Sequence, residues 1–256
     1  MYELSSVVLI AFAAGLIDAA VGGGGLIQVP GLFAVLPQQA AATLLGTNKF
    51  SSFFGTGAAT WRYARKVDLA WRLVLPAAAT AFVFAYFGAT AVSFVPKDWM
   101  RPLVLVLLIA MLAYTLYKKD FGALHQPSRF GRREQVIALL IGGAIGFYDG
   151  FFGPGTGSFL IFLFIRFFGF DFLRASASAK VVNLATNLAS LGFFIPHGNV
   201  LYHFAIPMAL ANVSGAVIGA RLAMRGGTVV IRRLFIGLVV VLIAKLGYDA
   251  IKPWLA

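Results

Sequence analysis

Residues Asp18 to Gly25 read AspAlaAlaValGlyGlyGlyGly, and an altered copy, AspGlyPhePheGlyProGlyThrGly, stands at Asp149 to Gly157. The two acids are 131 residues apart. Each copy interrupts a long apolar run with a carboxylate and a glycine cluster, and each interior glycine costs a helix about 1 kcal/mol relative to alanine. Two apolar runs each broken in this way imply a duplicated membrane protein with two broken helices that meet at one site.

The duplication reaches far beyond the breaks. At the same offset and without a gap, Gly15 matches Gly146, Asp18 Asp149, Gly22 Gly153 and Gly24 Gly155. Further along, Leu32 and Phe33 match Leu163 and Phe164, Lys49 matches Lys180, and Pro76 matches Pro207. Gly88 then matches Gly219, Arg101 Arg232 and Tyr117 Tyr248. Coincidences of Leu, Ala and Gly are common in apolar chains, whereas Asp, Lys, Pro and Arg falling in one register are not.

Composition sets the solvent. Of 256 residues, 60% are hydrophobic and 12% charged, against about half and a quarter in an ordinary soluble domain. Each repeat holds four apolar segments, and several approach the roughly 20 residues that cross a bilayer. In the first repeat (1–118) they run about 5–36 (broken at Gly22 to Gly25), 39–63, 70–94 and 100–118. In the second (135–256) they run about 135–168 (broken at Gly153 to Gly157), 175–195, 203–224 and 232–251. A basic linker, 119–134, reads as an aqueous loop between them. The fold expected is an all-α integral membrane protein with the lipid bilayer as its surroundings. The first residues lack the basic start and small-residue cleavage pattern of a removable signal peptide.

Charge decides how the repeats face. If each broken segment crosses the membrane, the loop cations divide 11 to 8 between the two sides, which carries no orientation signal. If each turns back at its glycines, the division becomes 15 to 4. One side then collects Arg62 to Arg72, Lys118 to Arg133, Arg166, Arg174 and Arg221 to Arg233; the other keeps Lys97, Arg101, Lys245 and Lys252. Cytoplasmic loops carry the excess of Lys and Arg, so the expectation is two inverted-topology repeats, each opening with a re-entrant hairpin. The basic loops are then cytoplasmic and both termini lie outside. The net charge of +12 is assigned to these loops and not to nucleic-acid binding. With no cysteine in the chain, disulfides, thiolate metal sites and cysteine nucleophiles are excluded.

Broken helices in paired repeats point to a transporter's solute site near the midplane. A helix that begins inside the membrane offers unpaired N–H groups and the positive end of its dipole to an anion, and glycines let backbone approach a ligand. The glycines Gly22, Gly23, Gly24, Gly25, Gly153, Gly155 and Gly157, with Thr156, form this candidate anion cradle. Close helix packing is the competing reading for such small residues. Lys49 and Lys180 fall deep inside their segments, where a charge must be paired or face water. They either help to hold an anion or are neutralised in the pairs Asp18 with Lys49 and Asp149 with Lys180. Asp18 and Asp149 correspondingly either carry protons or orient the lysines. The amides of Asn48, Asn183 and Asn187 and the hydroxyls of Thr47 and Thr186 suit anion oxygens; satisfying helix backbone across an interface is their competing and commoner use. Tyr148, Ser158, His197 and His203 are weaker candidates, while Arg166 and Arg174 are expected to snorkel to the interface. The chain carries no metal-ligand cluster, nucleophile elbow or nucleotide fingerprint, so no metal, cofactor or enzymatic activity is expected.

Three motifs carry a family resemblance. GlyLeuIleAspAlaAlaValGlyGlyGlyGlyLeuIle (15–27), LeuGlyThrAsnLys (45–49) and GlyPheTyrAspGlyPhePheGlyProGlyThrGlySer (146–158) resemble the TauE/SafE family, as do Ala179, Lys180, Asn183 and Asn187. The resemblance covers essentially the whole chain. It implies a permease of the bacterial or archaeal cytoplasmic (inner) membrane for sulfite, organosulfonates or related sulfur anions. The glycine clusters and the Lys49 region are the substrate neighbourhood that it implies. The function expected is a secondary transporter that exports a small sulfur-containing anion by alternating access, with a passive anion channel as the alternative and an intramembrane enzyme as a weaker one. The substrate is the partner expected, no nucleic acid is, and a homo-oligomer is compatible with the sequence.

Overall fold

The computed structural model describes residues 2–95, 99, 106 and 131–226. Apart from Val106, the expected segments 100–118 and 232–251 lie outside them, as do Lys97, Arg101, Lys118, Lys119, Arg129, Arg232, Arg233, Lys245 and Lys252. Among the described residues there are eight long helices and no strand. In chain order these are α1 (Tyr2–Val21), α2 (Gly25–Val35), α3 (Ala41–Ala64), α4 (Trp71–Val92), α5 (Arg132–Phe151), α6 (Thr156–Phe168), α7 (Phe172–Phe194) and α8 (Tyr202–Met224). The breaks fall where the glycines stand, between α1 and α2 and between α5 and α6.

Two helices of the second repeat begin three residues earlier than the sequence reading, each because a cap extends the helix. Arg132 to Glu134, assigned to the linker, already belong to α5, and Glu134 Oε2 accepts the Gly131 N–H at 2.8 Å. α7 begins at Phe172 instead of 175 because Asp171 Oδ1 accepts the Arg174 N–H at 2.8 Å. Such side-chain acceptors satisfy amides that a helix start leaves unpaired.

Small residues set the register between helices. Gly215 and Gly219 of α8 rest on the backbone of Phe12 and Leu16 of α1, while Gly142, Gly146 and Gly150 of α5 rest on Ala77, Ala81 and Ala85 of α4. In both cases residue numbers rise together, so α8 runs parallel to α1 and α5 parallel to α4. α3 runs parallel to α8 as well: the Phe50 ring meets Tyr202 at 5.6 Å, and Gly55 faces Asn212 further along. α1 and α3 therefore share a direction, and the Tyr63 hydroxyl near the end of α3 donates to Ala19 O near the end of α1, at 2.7 Å. Between them α2 runs back along α1, with Gly24 beside Ala14 and Gly31 beside Ile10.

The contacts also obey the duplication. Gly88 lies against Phe147 and Gly219 against Leu16, each residue being the 131-shifted equivalent of its counterpart. Gly15 on Asn212 and Gly146 on Ala81 form a second such pair. Each repeat thus lays its last described helix on the first helix of the other, so the two halves are interlocked. Apolar side chains on the outer faces, among them Phe82, Val83 and Phe87 of α4 and Ile206 and Leu210 of α8, are exposed, as a lipid-facing belt requires. α1, α4 and α8 are long and apolar enough to cross a membrane. α3 and α7 are as long but less apolar, because they carry the buried polar groups of the centre.

Candidate functional site

The two chain breaks touch. Gly22 lies against the backbone of Gly157 and Ser158, and Gly25 against Gly153 and Pro154. The turns use Gly22 (φ +75°), Gly23 (φ +96°), Gly153 (φ +92°) and Gly155 (φ +83°) in the left-handed region, where a Cβ is strained. Tyr148 pins the second turn by donating its hydroxyl to Pro154 O, and its ring meets Phe159 at 5.6 Å. α2 and α6 therefore start side by side at the centre of the molecule, and the positive ends of two helix dipoles converge there.

Four charges surround this point, and their pairing corrects the sequence reading. Lys49 Nζ donates to Asp149 Oδ2 at 2.6 Å, and Lys180 Nζ to Asp18 Oδ2 at 2.7 Å. The partners expected within one repeat are exchanged between repeats. The cause is the interlocked packing, which brings the break of one half against the third helix of the other. Lys49, Asp149 and Lys180 are buried, and the Asp18 side chain is 17% exposed. Asp18 Oδ1 also accepts the Gly24 N–H at 3.3 Å, which ties the carboxylate to the start of α2. Removing one partner of a buried pair costs about 3–5 kcal/mol, because the other charge is left uncompensated.

A cavity of about 20 Å³ opens at the breaks, room for about one water. Of the expected site residues, Gly23, Gly24, Gly25, Asn48, Lys49, Gly153, Gly155, Thr156, Gly157, Asn183 and Asn187 line it, as do Asp18 and Asp149. Gly22 and Lys180 stand behind the lining, one in the contact between the turns and the other bound to Asp18. The duplication recurs in the wall: Ser52 and Thr56 of α3 occupy the positions equivalent to Asn183 and Asn187 of α7. Asn187 Nδ2 donates to Asn183 Oδ1 at 3.4 Å.

Sequence reasoning missed Gln28, Ser52, Thr56 and Asn212, all of which line the cavity. Asn212 Nδ2 donates to Gln28 Oε1 at 2.8 Å, and both residues are buried. Their signal was available, since each is a lone amide in an otherwise apolar segment. The remaining candidates are engaged elsewhere. The Thr47 hydroxyl donates to Thr43 O and accepts the Leu201 N–H, and Ser158 donates to Val21 O. Thr186 donates to Asn183 O, and His197 stacks on Phe193. His203 lies on Phe204, Arg174 pairs with Asp68 at 3.5 Å, and Arg166 is exposed. Among the described residues no group of three or more His, Cys, Asp or Glu is placed to hold a metal ion.

Apolar-belted helices around a buried, charge-bearing break define a membrane transport protein, and comparison with known proteins agrees. The model of the sulfite exporter TauE/SafE family matches residues 7–246, and the chain belongs to that family. It is 38% identical over 244 residues to "Probable membrane transporter protein ORF9" of Sinorhizobium sp., covering 95% of this chain and 92% of the relative. It is 34% identical over 241 residues to "Probable membrane transporter protein YfcA" of Escherichia coli K12, covering 94% and 88%. A "Probable membrane transporter protein" of Haemophilus influenzae is 31% identical over 240 residues, covering 94% and 92%. No solved structure matches the chain. The protein is a membrane transporter and not an enzyme.

Proposed function

We propose that the protein is a secondary transporter that exports a small sulfur-containing anion, sulfite or an organosulfonate, across the bacterial or archaeal cytoplasmic membrane. The observation that carries the reading is the convergence of the α2 and α6 starts on one cavity beside Lys49. Two dipole ends and glycine backbone without side chains suit an anion. The four charges nearby sum to zero, so the helix ends supply the net attraction unless an arriving anion draws a lysine from its aspartate. Sulfur as the element rests on the family to which the chain belongs.

Two interlocked repeats support alternating access. The parallel run of α1, α3 and α8, with α2 returning between α1 and α3, supports a re-entrant hairpin in the first repeat. α4 follows α3 through a short loop and so runs back, and α5 is parallel to α4. α5 is then opposed to α1, which supports inverted repeats spanning 1–118 and 135–256. The 15-to-4 division of loop cations points the same way and supports basic loops in the cytoplasm, with both termini outside. Exchange of conformation between halves would expose the site to each side in turn; the small cavity fits a closed state between them.

Reconstituted liposomes test the proposal. Saturable movement of sulfite or a short sulfonate with counterflow is expected, and both Lys49→Met and Lys180→Met are expected to reduce it at least about tenfold, as loss of a charged hydrogen bond does. Unsaturable flux without counterflow would make the protein an anion channel. Unchanged flux in both variants would remove the lysines from the mechanism.

A further inference from the structure

The walls of the cavity are not equivalent, although the repeats are. Asp18 and Asp149, Ser52 and Asn183, and Thr56 and Asn187 are 131-shifted pairs with both members in the lining. Eight lining residues break the rule: Ala14, Gly23, Lys49, Gly153 and Gly157, and three amides. Gln28, Asn48 and Asn212 have as equivalents Phe159, Ala179 and Ala81, none of which lines the cavity.

These three amides form one cluster. Asn212 Nδ2 donates to Gln28 Oε1 at 2.8 Å, and Gln28 Nε2 donates to the Asn48 backbone carbonyl at 3.5 Å. Gln28 is wholly buried, and Asn48 and Asn212 are each 4% exposed. Asn48 Oδ1 has no hydrogen-bond partner. A buried acceptor left unpaired is destabilising, so packing alone gives no reason to retain one here and an alanine at its equivalent.

A symmetric oxyanion lying between the breaks has no use for such a cluster. The oxygens of a sulfonate only accept hydrogen bonds, and the acceptor that the wall leaves without a partner, Asn48 Oδ1, needs a donor. We infer that Gln28, Asn48 and Asn212 form a specificity subsite for the far end of the substrate, which is a short organic sulfonate carrying a hydrogen-bond donor such as a hydroxyl. This rests on the proposed transport of sulfur anions and selects one class among them. The sulfonate end faces the glycine turns; the donor end faces α2, α3 and α8. Gln28 is a positioning residue, since both ends of its amide are spent on Asn48 and Asn212.

A matched pair of compounds reads the subsite directly. 2-Hydroxyethanesulfonate and propane-1-sulfonate differ by a hydroxyl in place of a methyl group. In wild-type liposomes loaded for sulfite counterflow, the hydroxy compound is expected to inhibit at about tenfold lower concentration, the value of one hydrogen bond to a buried acceptor. In Asn48→Ala, the residue of the other repeat, the ratio of the two inhibitory concentrations is expected to fall below about twofold. A ratio taken within one protein is insensitive to a general loss of activity. Equal inhibition in the wild type overturns the subsite, as does an unchanged ratio in Asn48→Ala. Thermal stabilisation of the purified wild-type protein by the two compounds ranks them without transport. Absent sulfite counterflow with the ranking intact would therefore overturn the transport reading and keep the subsite.

Discussion

Asp149 and Lys49 are the residues on which the centre depends most directly. Their side chains are each 3% exposed, so neither charge has water to fall back on. Asp149→Asn leaves Lys49 with a neutral neighbour, and the expected loss of stability is about 3–5 kcal/mol, measured as a lowered unfolding midpoint in detergent. The double variant Lys49→Met with Asp149→Leu removes both charges and is expected to recover most of that loss, because an apolar pair of similar volume is often neutral or better. A double variant as unstable as Asp149→Asn would show that shape, not charge, holds the contact. Lys49→Met with Asp18→Leu pairs residues that do not touch, and is expected to lie well below the first double variant. Both acids and both lysines were legible from sequence, since a charge deep in an apolar run is conspicuous. Their partnership was not, because it depends on which helices cross, and separation along the chain favours no partner.

α1 and α2 show what a glycine break contributes at the scale of an element. The turn needs left-handed backbone at Gly22 and Gly23, and the second turn needs it at Gly153 and Gly155. Gly153 has a further constraint: an added Cβ would meet Asp149 O, Asp149 Oδ1 and Lys49 Nζ, each at 3.1 Å. Gly153→Ala is therefore expected to lose transport by about tenfold or more. Backbone strain of about 1–2 kcal/mol falls on the turn, and the crowding falls on the ion pair. Gly198→Ala is the control: its φ is +69°, but open space surrounds it, so it carries strain without crowding. Equal flux defects in the two variants would assign the whole effect to strain. The first break was legible because four consecutive glycines close to an acid have few other uses in a membrane helix, and the second because it copies the first 131 residues on. The starts of α5 and α7 were not, since a capping Glu134 or Asp171 looks in sequence like any loop acid.

The whole molecule turns on the direction of the second repeat. Parallel repeats place the α3–α4 loop and the α7–α8 loop on one side of the membrane; inverted repeats place them on opposite sides. Lys66 and His197 lie in or beside these loops and are exposed. The chain has no cysteine of its own, so Lys66→Cys and His197→Cys each give a single label site. A membrane-impermeant thiol reagent added to intact cells is expected to modify His197→Cys at once and Lys66→Cys only after lysis. Modification of both from outside, or of neither, would return the repeats to a parallel arrangement and dissolve the argument for alternating access. The loops also differ chemically as the inverted reading requires. Asp68 holds Arg174 at 3.5 Å, whereas the equivalent contact, Thr43 with Asn199 at 3.2 Å, is uncharged. A positive charge is tolerated on the cytoplasmic side and avoided on the other, so the same joint is ionic where cations collect and neutral where they do not.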